Sequence, residues 1–199
     1  MKRFSDWVLI KEGMLTPTTL PPNVIVRIYM TPGSNQFYIR AFDRYEQQTK
    51  GQMAILFMDK HGEYWTHHQN AEHGYGPLLY DLAIEYATKL GGGVLPATGQ
   101  VMLSNLPFTN TDASAAVWNQ YLKRSDVQHE LPIRLEMLIK SNPQIAEEFR
   151  KNPGLFYVYR KPMTFINQLT KLGKLAFKEK GGASWGKESK TIQSPLQPS

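Results

Sequence analysis

Alternation of apolar and polar positions governs the first third of the chain. Val24-Ile25-Val26-Arg27-Ile28-Tyr29-Met30 is rich in β-branched residues and reads as a strand. Residues 31–35 read as a turn and 37–42 as a second strand, so the pair predicts a hairpin. Residues 43–50 are polar and lead to a third strand over 52–58, a tight turn at 59–62 and a fourth strand over 64–68. The period then changes. Leu78, Leu79, Leu82, Ala83, Tyr86 and Leu90 recur at helical spacing. Pro77 stands at the expected first position of that helix, and Gly91-Gly92-Gly93 stops it. Short extended pieces follow at 94–96 and 101–103, with helices expected over about 111–123, 132–140 and 143–151. Residues 156–159 read as a short strand or extended link. A last helix capped by Thr164 carries the stripe Phe165, Ile166, Leu169, Leu172, Leu175 and Ala176. Residues 1–23 are irregular, interrupted by Pro17, Pro21 and Pro22. Antiparallel strands first, then strand–helix, then helices predict an α+β domain: a mixed, mostly antiparallel sheet with flanking helices and a helical C-terminal part.

Composition narrows this picture. The chain has 199 residues and no cysteine, so disulfides and thiolate metal sites are excluded. We expect one domain over 1–180, its last part a helical extension, and a flexible basic tail over 181–199. No apolar run approaches the roughly 18 residues of a membrane span, and the run at Trp7-Val8-Leu9-Ile10 is too short for a signal peptide. The expectation is a cytosolic protein without a membrane partner. Charge is uneven: residues 150–190 hold ten Lys or Arg against Glu179 and Glu188, whereas the preceding part is slightly acidic. Such a patch can contact nucleic acid or another polyanion, or simply solvate a helix face. On either reading Lys171, Lys174, Lys178 and Lys180 line one exposed helical face beside Arg160-Lys161.

Candidate chemistry concentrates at Glu72-His73-Gly74-Tyr75-Gly76-Pro77-Leu78. Two glycines entering a helix from a strand allow a sharp turn and leave amides open in the first helical turn. Those donors and the helix dipole favour a phosphate-bearing ligand there. The plain alternative is a tight turn with a glycine cap. Tyr75, between the glycines, is expected to be exposed at the ligand, and Trp65 and Tyr86 to be core. Histidines form a second signal, with His61, His67, His68 and His73 close in sequence. Strict alternation puts His67 and His68 on opposite faces, so one of them faces the site as a general base. No metal is expected, because His68-x-x-x-Glu72-His73 matches no zincin spacing.

The stretch EHGYGPLLYDLAIEYATKLGGG resembles the acyl-CoA-binding core of the GNAT N-acetyltransferase superfamily. There a strand ends in an Arg/Gln-x-x-Gly-x-Gly/Ala turn whose amides hold the coenzyme A pyrophosphate, and a helix follows. The nearest likeness is to short bacteriophage members with a GPLLYD motif. Thr111-Asp112-Ala113-Ser114-Ala115-Ala116-Val117-Trp118-Asn119-Gln120-Tyr121, Arg124-Ser125-Asp126-Val127 and Tyr159-Arg160-Lys161-Pro162 are similar to segments of the same group. The resemblance covers roughly 52–175. It implies a GNAT-like fold with acetyl-CoA as substrate, held by His73, Gly74, Tyr75, Gly76, Pro77 and Leu78. Departures are visible. Ala71 stands where the family begins the turn with Arg or Gln, and Trp118 where it has its general-acid tyrosine. Tyr121, one turn on, is the substitute donor. The fourth strand, read from Tyr64, carries no acid, so the base falls to His67 or His68.

These readings imply an acyltransferase acting on a small-molecule or protein amine, in a host cytoplasm. The rival is a non-catalytic GNAT-like phage protein, either a component of the particle or an inhibitor of a host protein, using the fold as a scaffold. A nucleic-acid role rests only on the basic 160–190 region, which has no recognised motif.

Overall fold

A computed structural model of the chain describes residues 15–30, 36–45, 48–58, 62–96 and 112–179. It is an α+β fold with one eight-stranded sheet. The strands are β1 (Val24–Met30), β2 (Gln36–Asp43), β3 (Thr49–Met58), β4 (Glu63–Ala71), β5 (Gly93–Leu95), β6 (Gln128–Glu130), β7 (Val158–Arg160) and β8 (Leu175–Glu179). The helices are α1 (Tyr75–Lys89), α2 (Asp112–Tyr121), α3 (Ile133–Ser141), α4 (Pro143–Lys151) and α5 (Thr164–Lys171), with a 3-10 turn at Pro153–Phe156.

The sheet order is β6-β7-β5-β4-β3-β2-β1-β8. β1 through β4 form an antiparallel meander, as the alternation predicts. β5 lies parallel to β4, β7 pairs antiparallel with both β5 and β6, and β8 lies parallel to β1 at the edge. Alternate residues of the first three strands are buried: Val24, Val26 and Ile28 in β1, Phe37, Ile39 and Ala41 in β2, Met53 and Ile55 in β3. α1 covers this face and is buried nearly all round, as a helix apolar on every side must be. Its other side meets α2 and α5: the Tyr80 ring stands edge-on to Trp118 at 5.0 Å, and Ile166 and Leu169 of α5 are fully buried.

The C-terminal part departs from a purely helical extension, since β6, β7 and β8 all join the sheet. The last helix ends at Lys171, and Gly173 turns the chain with φ of 64°. Leu175 and Ala176, expected on its apolar stripe, instead pair with Val26 and Arg27 of β1. Trp65 is half-buried rather than core, whereas Tyr86 is core. The expected extended piece at 101–103 and the tail at 181–199 lie outside the described residues, as do residues 1–14 and His61. Among the described residues no helix is long and apolar enough to cross a membrane.

Candidate functional site

β4 leaves the sheet into the glycine turn. Glu63, Tyr64 and Trp65 pair with Gly93, Val94 and Leu95 of β5, and β5 ends there. β4 runs on to Ala71, where among the described residues only β3 pairs with it, so among those residues its other edge along 66–71 has no partner strand. Beyond the end of this edge Gly74 caps α1 with φ of 85°, a left-handed conformation suited to glycine. Tyr75 N–H donates to the Glu72 carbonyl at 3.2 Å, and Pro77 has no N–H to give. The amides of Gly74 and Gly76 have no hydrogen-bond partner among the described residues. α1 starts at Tyr75, two residues before the expected Pro77.

Gly51 of β3 allows this approach. A methyl group there would lie 3.0 Å from Leu79 Cδ1, 3.1 Å from Ala71 Cβ and 3.3 Å from Tyr75 Cβ. Because the helix presses so closely on the sheet, Tyr75 is buried, contrary to the expectation that it projects toward a ligand. Burial raises its phenol pKa, with Glu72 and Asp43 adding to the effect. Leu78 is fully buried, Pro77 half-buried and His73 exposed. On the far side of the turn Leu15 N–H reaches the Gly74 carbonyl at 3.3 Å.

The histidine alternation needs one correction. β3 pairs Met53 with Gln69 but Ala54 with His67, leaving His68 as an extra residue in β4. This register shift interrupts the regular two-residue period of the backbone on which the alternation argument rests. The fourth strand does carry an acid, since it begins at Glu63. Glu63 is buried, paired with Arg134 of α3, and lies at the opposite end of β4 from the glycine turn.

Tyr121 ends α2 and is brought to the start of α1, where its hydroxyl donates to the Pro77 carbonyl at 3.4 Å. It is buried among Tyr80, Trp118 and Tyr159, with the Arg124 guanidinium 4.9 Å over its ring. Burial and then Asp81 push its pKa well up, against the pull of Arg124. Trp118 is core.

The segments that carry the resemblance meet in a cluster of charges that the sequence did not assign. Lys161 follows β7, its side chain 1% exposed, and sits 3.1 Å from Asp81, 2.9 Å from Glu85 and 3.7 Å from Asp126. Arg124 pairs with Asp126 at 2.6 Å and reaches Asp81 at 3.0 Å. Glu85 also accepts the amides of Phe165 and Ile166 at 2.9 Å and 2.8 Å, capping α5 with a carboxylate. Burial raises the Glu85 pKa, opposed by those amides and by Lys161. Lys161 is therefore no part of an exposed basic face: buried acids on α1 require a buried cation. Lys174 donates to the Leu20 and Pro21 carbonyls, Lys178 lies in a strand, and Lys180 is outside the described residues. The expected lysine row does not form, because the helix that was to carry it stops at Lys171.

Compared with known proteins, the chain matches no family model, no curated protein and no solved structure.

Proposed function

We propose that the chain is a GNAT-like acyl-CoA-binding domain that passes an acyl group from acetyl-CoA to an amine. The observation that carries this reading is the strand edge along residues 66–71 of β4, which has no partner among the described residues and leads to a glycine turn whose two amides have none among them either. An extended ligand bearing amide groups can line a free strand edge as an added strand would. Its diphosphate then meets the Gly74 and Gly76 amides and the positive end of α1. Strand, glycine turn and helix stand in the order that the resemblance requires. In the reaction the amine nitrogen attacks the thioester carbonyl, a C–N bond forms and the C–S bond breaks. His67 or His68 takes the amine proton, and Tyr121 protonates the departing thiolate.

The rival reading, a non-catalytic phage scaffold, draws on two observations. Ala71 supplies no side-chain donor to the turn, and the Tyr121 hydroxyl is buried and committed to Pro77. Isothermal titration with acetyl-CoA decides between them. Binding by the wild type, lost in Gly76→Val with the fold intact by circular dichroism, supports the first reading. A folded wild type that releases no heat overturns it and leaves the scaffold. Gly76 is the better probe, because Gly74→Val also forces a side chain into a left-handed conformation.

A further inference from the structure

Residues 161–179, comprising α5 and β8, form an arm laid across α1 and the outer edge of β1. Two clamps hold it. At its root Glu85 receives Lys161 and the first amides of α5, and Lys161 N–H donates to Thr88 Oγ1 at 3.0 Å. At its far end Lys174 Nζ reaches the Leu20 and Pro21 carbonyls, and Val26 N–H donates to the Lys174 carbonyl at 2.8 Å.

Beneath β8 lies a group that works against this docking. Lys89, at the last position of α1, places its ammonium 5.4 Å from the Phe177 ring centroid and 5.8 Å from that of Tyr86. The nitrogen is covered and makes no hydrogen bond among the described residues, although the residue as a whole is only half-buried. Lysines ordinarily do the reverse, burying the stem and keeping the head in water. The two ring faces replace part of the lost hydration, but an unpaired, desolvated donor remains a net cost. Burial also lowers the Lys89 pKa. Lifting β8 would return this ammonium to water.

We propose that the α5–β8 arm is a separable latch whose docking is favoured at Glu85 and opposed at Lys89, so that it opens while the rest of the sheet stays folded. The two residues lie one turn apart on α1 and act with opposite sign on the same element. Opening frees the outer edge of β1, with the chain between Arg160 and Thr164 as the hinge. The latch is independent of any ligand at the glycine turn.

The test is amide hydrogen exchange by mass spectrometry on the full chain near neutral pH. In the wild type, peptides from 164–179 should exchange at least about tenfold faster than peptides from α1, because local opening needs less free energy than global unfolding. Lys89→Met keeps the packing against both rings and removes the unpaired donor, so it should slow those peptides by about tenfold. Glu85→Ala should speed them by a similar or larger factor while α1 and β2 stay protected. Arm peptides that exchange in step with α1 in the wild type overturn the proposal. So does a Lys89→Met variant with unchanged or faster arm exchange, which remains readable even if Glu85→Ala fails to fold.

Discussion

Replacing Lys161 by Met removes the cation at the centre of the buried cluster. Its nitrogen serves Asp81 at 3.1 Å and Glu85 at 2.9 Å, both side chains at most 3% exposed, and stands 3.9 Å over the Phe165 ring. Breaking a buried ion pair from one side costs about 3 to 5 kcal/mol, because the remaining charge stays desolvated. Here two buried carboxylates lose a partner, and half-exposed Asp126 loses a longer contact at 3.7 Å, but none is left alone. Asp81 keeps Arg124, and Glu85 keeps the Phe165 and Ile166 amides. We therefore expect the low end, about 3 kcal/mol, which lowers the midpoint of a domain this size by roughly 6 to 12 °C. Urea unfolding measures it, and Glu85→Gln in the Lys161→Met background should recover part of the loss. The variant also carries a pH signature. Glu85 already has a raised pKa, and without Lys161 it rises further. A carboxyl whose folded pKa lies above its unfolded one favours the fold below the unfolded value, and that advantage is lost as pH rises through the folded pKa. The gap between variant and wild type should thus be smaller at pH 5 than at pH 8. A loss below about 1 kcal/mol, with no coupling to Glu85→Gln, would refute the account of the cluster.

Two further outcomes follow from burial and close approach. Burial raises the phenol pKa of Tyr80, Tyr121 and Tyr159 and pushes that of Tyr86 up to about 12. Their contribution to stability is whole below the unfolded value near 10 and is lost as pH rises through the folded values, so an ultraviolet titration should show these tyrosines ionising only with unfolding. A methyl group on Gly154 would lie 2.4 Å from the Trp118 carbonyl carbon and 2.5 Å from the Asn119 nitrogen, both backbone. Gly154→Ala should cost about 3 kcal/mol in urea unfolding, and Gly62→Ala, open in space but at φ of 68°, only about 1. Equal losses would contradict the steric argument.

The meander and α1 were legible because their signals are local: β-branched alternation in Val24–Met30, helical spacing after Pro77, a glycine stop at Gly91. The glycine turn was legible for the same reason. β8 was not, because its pairing with β1 is a contact between distant parts of the chain. Leu172, Leu175 and Ala176 happen to continue the spacing of α5, although Gly173 marked the stop. The Lys161 cluster was missed because Arg160-Lys161 looks like surface charge in a basic region. A signal was present all the same. Asp81 and Glu85 lie four apart on a helix that is otherwise apolar all round, and acids in such a helix need a cation from elsewhere in the fold. The register shift at His68 leaves no trace in residue type, so the strict alternation assumed for β4 could not foresee it.

The sheet order has a consequence for synthesis on the ribosome. β1 and its hairpin partner leave first, but the strand that covers the outer edge of β1 is made roughly 150 residues later. At 5 to 20 residues per second that is about 7 to 30 s with an unpaired edge beside Val26 and Ile28. β6 waits as well, since β7, its neighbour in the sheet, emerges after α3 and α4. The nascent chain therefore closes both margins of its sheet last, and chaperone demand should peak before residue 179 is clear of the exit tunnel.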